Sequence, residues 1–178
     1  MVFTHDTESA LQAAVELANS ALDSDSLGTT EALAEFVERW GYSGRHDGTE
    51  VELEEVRATR PALRALLLAE RDDAAERVNA ILADAPAFPQ LARHGRHDWH
   101  IHAVAPGESL ALQILVETAM AMVDVIRADE MSRLAVCADE SCEGIVLDLS
   151  RNRSRRFCST ACGNRNAVAA YRARQAER

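Results

Sequence analysis

The sequence contains no lysine, so arginine supplies all 19 of its strongly basic residues. A high-GC codon bias accounts for this absence, which is therefore no evidence for a particular function. Long apolar runs are also lacking, and no stretch approaches the ~18 residues of a membrane-spanning helix. The first residues, MVFTHDTE, do not have the pattern of a secretory signal peptide. We therefore expect a cytoplasmic chain with no membrane partner.

Cysteine is scarce, but its four residues form two close pairs, Cys137 with Cys142 and Cys158 with Cys162. Cytoplasmic cysteines stay reduced, so a paired pattern indicates a metal site before a disulfide. Thiolates are preferred zinc ligands, and a structural zinc takes four donors in a tetrahedron. The sequence predicts one structural zinc bound by all four cysteines, with no open position for catalytic water. Uncoordinated reduced cysteines and a redox pair are the weaker alternatives.

Charge is distributed unevenly along the chain. Residues 151–178, here called the basic tail, contain eight arginines and one acidic residue, a net charge of +7. The other 150 residues contain eleven arginines and 28 acidic residues, a net charge of −17. This asymmetry favours an acidic body with a tail suited to an anionic partner.

Apolar residues recur at helical spacing through most of residues 1–132, here called the body. Helices are predicted from residue 6, after Thr29 or Thr30, from Thr49 with Glu52 as a capping box, after a break at Pro61, and over 72–84. The longest apolar helix is expected within 107–131. Residues 96–105 alternate like a strand, with the stretch around 88–91 as its candidate partner. The predicted fold class is mainly α with a small β element.

The spacing of residues 133–178, here called the finger, predicts a treble-clef-like module. The first cysteine pair forms a knuckle, residues 144–149 form a strand, and a turn at 150–154 leads to a return strand ending at Phe157. A helix over 160–175 begins at the N-cap Ser159 and places Cys162 in its first turn. The positive end of that helix favours thiolate there.

The candidate nucleic-acid contacts are polar residues of the finger. The expected residues are Arg151, Arg153, Arg155, Arg156, Asn164, Arg165, Arg172 and Arg174. Arginines can neutralise phosphates, which makes affinity fall steeply with salt. For Asn164, capping the hairpin turn is favoured over contacting an adenine edge. Val168 and Tyr171 are expected to pack in the core rather than to stack on bases.

Four histidines lie within nine residues, at His94, His97, His100 and His102. On a strand, His100 and His102 point to the same face, which makes them a candidate second metal or ligand site. Ordinary hydrogen bonding is the favoured alternative for strand histidines. No nucleophile motif, phosphate loop or carboxylate pair indicates catalysis, so we do not expect an enzyme.

The tetrapeptide Cys162-Gly163-Asn164-Arg165, with Phe157-Cys158 before it and Ala170-Tyr171-Arg172 after it, resembles the CGNR zinc finger. The body, from Asp6-Thr-Glu-Ser-Ala-Leu through Asp98-Trp-His-Ile-His, resembles the ABATE domain that precedes that finger in bacterial stress-induced transcription regulators. The resemblance implies zinc ligation by the four cysteines and a signature role for Gly163, Asn164 and Arg165.

These observations predict a DNA-binding transcription regulator whose body, 1–132, senses a signal, dimerises or both, and whose finger, 133–178, contacts DNA. A homodimer and a small-molecule effector in the body remain open as partners. The alternatives are a zinc-stabilised protein-interaction module with the basic tail on an acidic surface, and a small-molecule sensor without DNA contact. The arginines of the tail suit DNA, RNA or acidic protein.

Overall fold

A computed structural model describes residues 2–22, 24–86, 89–92, 100–105 and 107–176. The chain is mostly helical, as predicted, with two small two-stranded sheets among these residues. None of the helices in the described part combines the length and apolarity that crossing a membrane requires.

Helices dominate the body. In chain order they are α1 (His5–Asn19), α2 (Thr30–Trp40), α3 (Glu50–Ala58), α4 (Arg60–Leu67), α5 (Arg71–Asp84) and α6 (Leu110–Arg127). Three of their N-termini follow local capping chemistry, because the side chains of Thr29, Thr49 and Ser109 each accept a hydrogen bond from a first-turn amide. Pro61 lies in the first turn of α4, where its missing N–H has no cost.

The capping box predicted at α3 forms only in one direction. The Glu52 amide donates to Thr49 Oγ1 at 3.2 Å, as expected. The Glu52 carboxylate does not return to Thr49, and accepts instead from the amides of Asp47 and Gly48 at 2.9–3.0 Å. The loop before the helix therefore folds back onto Glu52, which is buried.

The body is built around α6, which packs most extensively against α1 and α5. Its fully buried core consists of large aliphatic side chains with one aromatic ring, from Leu11, Leu17, Leu33, Phe36, Leu53, Leu63, Leu66, Leu67, Leu110, Ile114 and Met122. Burial of these side chains is the main source of stability for this part of the chain.

A short antiparallel sheet lies beside the helices. Strand β1 (Gln90–Ala92) pairs with β2 (His100–His102), and Leu91 lies opposite Ile101. The predicted strand and its weakly predicted partner are therefore both present, although each is only three residues long.

The finger follows α6 through a 3-10 turn at Met131–Arg133. Strand β3 (Leu134–Val136) pairs antiparallel with β4 (Ile145–Leu147), and α7 (Thr160–Ala176) ends the described chain. The helix agrees with the predicted range. The hairpin partner was predicted wrongly: β4 pairs with β3, on the other side of the cysteine knuckle, and residues 155–157 form no strand.

A candidate metal centre and its basic surroundings

The sulfur atoms of Cys137, Cys142, Cys158 and Cys162 all lie within 4.8 Å of one another. The distance from Cys158 Sγ is 3.5 Å to Cys142 Sγ and 3.7 Å to Cys162 Sγ. A tetrahedral zinc with Zn–S bonds of about 2.3 Å separates its ligand sulfurs by about 3.8 Å. The four thiols therefore fit one structural zinc, which confirms the ligand type and number expected from the sequence.

Backbone amides hold the sulfurs in place. Gly144 donates to Cys142 Sγ and Cys158 donates to Cys137 Sγ, each at 3.4 Å. Ser159 Oγ accepts from the Cys162 amide at 3.2 Å, so Ser159 is the N-cap that the sequence predicts. Hydrogen bonds of this kind orient metal ligands and tune the charge on the sulfur.

The four thiols are not electrostatically equivalent. A hydrogen bond from Ser159 lowers the pKa of Cys162, which also lies in the first turn of α7. Burial raises the pKa of Cys158 well above its usual value. Zinc must displace the proton from Cys158 against this shift, so metal binding and proton release are coupled.

Arg165 belongs to this centre and not only to the protein surface. Its Nη2 donates to Cys162 Sγ at 3.1 Å, and its Nε donates to Asp139 Oδ2 at 3.0 Å. Asp139 is buried, and its side chain also accepts from the amide and hydroxyl of Ser141. Arg165 thus places a positive charge beside one ligand while Asp139 fixes the orientation of its side chain.

Glycine is sterically required in the knuckle but not in the signature. A Cβ on Gly144 would lie 2.8 Å from Cys158 Sγ and 3.2 Å from Leu22 Cδ1. A Cβ on Gly163 would lie 3.6 Å from the ring of Phe157, which is an ordinary contact. The close approach expected at Gly163 is therefore found at Gly144.

Comparison with protein families assigns both parts of the chain. Residues 11–129 match ABATE, described as "Putative stress-induced transcription regulator". That match covers more than half of the sequence. The chain belongs to the ABATE family. Residues 133–175 match the CGNR zinc finger, in the arrangement that the sequence predicted. A comparison with curated proteins found no significant match.

The arginines of the CGNR finger fall into two groups. In the first group, the side chains bind within the chain: Arg153 pairs with Glu130 at 2.8 Å, and Arg155 donates to the carbonyls of Phe157 and Cys158. Arg165 belongs to the same group, because it is held by Asp139 and the Cys162 sulfur. These three arginines hold the loop before α7 and the start of α7 in place.

The second group consists of Arg151, Arg156, Arg172 and Arg174. All four are exposed, and none has a side-chain hydrogen bond or ion pair within the described part of the chain. Asn164 is likewise exposed and unbonded there, so it does not cap the hairpin turn. Asp148 performs that function, because it accepts from the amides of Ser150 and Arg155 at 2.8 and 2.7 Å.

The helix α7 projects from the finger with little packing. Cys162 is its one buried residue among those described. Val168 and Tyr171 are 48% and 57% exposed, so the expectation that they pack in the core is wrong. The β3–β4 hairpin packs on the ABATE domain and leaves this surface of α7 uncovered.

The finger is joined to the ABATE domain by polar contacts as well as by the chain. The side chain of Asn19, the last residue of α1, donates to the Ile145 carbonyl at 2.9 Å and accepts from the Ile145 amide at 2.7 Å. The buried Arg133 donates to the carbonyls of Asp148 and Ser150 and pairs with Glu130. Neither Asn19 nor Arg133 was singled out from the sequence, since only the fold brings them to the finger.

The histidine site remains a prediction. His94 and His97 lie outside the described residues, and so do the side chains of His100 and His102. The backbones of His100 and His102 lie two residues apart on β2, as the sequence predicts. Within the described part of the chain, the cysteine quartet is the cluster with the geometry of a metal site.

Proposed function

We propose that this protein is a DNA-binding transcription regulator that acts by binding and not by catalysis. The zinc-stabilised finger contacts the duplex. One observation carries the proposal: four exposed arginines without partners in the described part of the chain flank the metal centre, two on the loop before α7 and two on α7. The description of the ABATE family as transcription regulators supports it.

The electrostatics favour one orientation on DNA. Outside the basic tail the chain carries a net charge of −17, which repels the phosphate backbone. The tail carries +7, so an approach of DNA to the finger is the favourable one. The acidic body is then held away from the duplex, and non-specific contacts are confined to the finger.

The two groups of arginines have different roles in this proposal. Arg153 and Arg165 can contact a phosphate only if their ion pairs with Glu130 and Asp139 break or are shared. The second group, Arg151, Arg156, Arg172 and Arg174, has no such pair to break within the described residues. We therefore assign the phosphate contacts to these four and a positioning role to Arg153, Arg155 and Arg165.

The test is a fluorescence-anisotropy titration of zinc-loaded protein against labelled genomic duplex fragments over a salt series. The double variants Arg151→Ala/Arg156→Ala and Arg172→Ala/Arg174→Ala should each bind more weakly. Each should also reduce the slope of log affinity against log salt by about 1 for every phosphate that the variant no longer neutralises. Arg77→Ala, which removes an exposed arginine of α5, is the matched control and should leave the slope unchanged.

Failure of the zinc-loaded protein to bind any duplex at low salt would contradict the proposal. The zinc-stabilised protein-interaction module would then be the better account, because Val168 and Tyr171 expose apolar surface on α7 that a protein could cover. Tight binding to a subset of fragments that disappears in Cys158→Ser would identify a zinc-dependent protein that recognises DNA sequence.

A further inference from the structure

The ABATE domain contains a cavity of about 750 Å³ that lies away from the metal centre. It is bounded by the N-terminal half of α1, the end of α2, the β1–β2 sheet and the middle of α6. Pockets that hold organic ligands generally have volumes of about 300–1,000 Å³. The cavity therefore has room for a small organic molecule.

Negative charge predominates among the residues that line it. Three carboxylates, from Asp6, Glu117 and Asp124, face one guanidinium, from Arg127. The three carboxylates are half-buried, whereas Arg127 is exposed and its charge is screened by water. Among the lining residues, then, the electrostatic preference is for a cation.

Two of the carboxylates are oriented by hydrogen bonds from neutral donors. Asp124 Oδ2 accepts from Thr7 Oγ1 at 2.6 Å, and Glu117 Oε1 accepts from Gln113 Nε2 at 2.8 Å. Within the described part of the chain, neither Asp6 nor Asp124 forms an ion pair. A half-buried carboxylate fixed by a neutral donor keeps its charge and is a suitable counter-ion for a ligand.

The rest of the wall is apolar or aromatic. Leu91, Ile101, Met120 and Val123 line the cavity, and Leu91 remains 69% exposed in the sheet. Trp40 also lines it, and its indole N–H donates to Glu16 Oε2 at 3.2 Å, which fixes the ring orientation. Tryptophan is the side chain that best attracts an ammonium group to its face.

We propose that this cavity binds an organic cation: a protonated amine or quaternary ammonium group attached to an alkyl or aryl body. The ammonium group contacts the carboxylates of Asp124 and Glu117. The carbon body lies against Met120, Val123 and the β1–β2 sheet. A metal ion alone does not account for the apolar wall, and an organic anion meets three like charges.

The test uses the full-length, zinc-loaded protein and isothermal titration calorimetry at neutral pH, so it does not depend on DNA binding. The probes are phenylbutylamine, phenylbutanol and phenylbutyrate, which differ mainly in the charge of the terminal group. We expect the amine to bind about tenfold more tightly than the alcohol, and the carboxylate more weakly still. Equal or tighter binding of phenylbutyrate, or no saturable binding of the amine, would overturn the proposal.

Two variants locate the site. Asp124→Asn keeps an acceptor for Thr7 and removes the charge, so the amine should bind about tenfold more weakly while the alcohol is unaffected. Met120→Trp fills the cavity with the carboxylates intact and should abolish binding of both. Glu38→Gln, an exposed substitution on α2, is the control and should change nothing. Amine binding that persists in both cavity variants, with normal helicity and zinc content, would show that it occurs elsewhere.

Discussion

The ABATE domain and the CGNR finger are held together by different forces. The ABATE domain buries a continuous cluster of aliphatic side chains contributed by six described helices. The small core of the finger consists of Cys137, Val146 and Cys162, with Cys142, Phe157 and Cys158 packed against it. Four of these six residues are the metal ligands, so the finger has almost no apolar core without them. Hydrophobic burial folds one part of the chain, and coordination folds the other.

Removal of zinc should have the largest effect and should be confined to the finger. Structural zinc contributes apparent binding energies of about 10 kcal/mol or more, which a core of this size cannot replace. We expect chelation or Cys158→Ser to disorder α7 and the knuckle while α1–α6 remain helical. Circular dichroism with a colorimetric zinc assay measures this, and Ser154→Ala is the control. Unchanged helicity in metal-free protein would contradict the contrast between the two parts.

Leu66→Ala tests the contribution of hydrophobic burial to the ABATE domain. Leu66 is fully buried in α4, and truncation of a buried leucine costs about 2–5 kcal/mol. Urea unfolding should show this loss in the ABATE domain, while the variant still binds one zinc. Val51→Ala, at a 68% exposed position on α3, should change the unfolding free energy by less than about 0.5 kcal/mol. Loss of zinc from folded Leu66→Ala would show that the two parts do not fold independently.

Asn19→Ala tests the junction between the two parts. It removes both hydrogen bonds to the backbone of Ile145 and leaves that amide and carbonyl without the Asn19 side chain as their partner. We expect a loss of about 1–3 kcal/mol, seen as faster hydrogen exchange at Ile145 than in the α6 core. Asn79→Ala, on the exposed side of α5, is the matched control. Equal exchange at Ile145 in both variants would mean that Asn19 does not hold the finger.

Asp25 provides the smallest effect, within the ABATE domain alone. Hydrogen bonds from Arg60, at 2.6 and 2.9 Å, lower the pKa of Asp25 to about 2. Because the folded pKa lies below the unfolded value, its stabilisation is present above about pH 4 and is lost as the pH falls towards 2. Solvent screening limits it to about 1 kcal/mol.

The measurement for Asp25 is the difference in unfolding free energy between wild type and Asp25→Asn at several pH values. Both proteins lose zinc equally in acid, so the difference isolates the carboxylate. It should be largest near neutral pH and vanish near pH 2. Exposed Asp73→Asn is the control. A difference that does not change with pH would show that the ion pairs of Asp25 contribute no stability.

Local chemistry made several elements predictable from the sequence. Ser159 and the apolar-poor, arginine-rich stretch after it predict α7 almost to its observed ends at Thr160 and Ala176. Pro61 marks the restart at α4, because a proline fits only the first turn of a helix. The cysteine pairs predict the zinc site, because only four close donors complete its coordination.

Long-range pairing was less accessible to sequence reasoning. Strand β4 was expected to pair with the segment before Phe157, but hydrogen bonds with β3 across the knuckle. Both partners satisfy the alternation of the strand, and nothing local distinguishes them. Arg165 presents the same difficulty, because an arginine beside DNA-binding residues and an arginine beside a ligand sulfur have the same sequence pattern.

The helical periods, their caps, the ligand set for zinc and the separation of charge between body and tail all follow from the sequence alone. Each of these depends on neighbouring residues or on composition. Three other features required the folded chain: the strand that completes the finger, the arginines that Glu130 and Asp139 hold, and the cavity lined by carboxylates between α1 and α6. These depend on residues far apart in the chain, whose contacts are set by how the whole core packs.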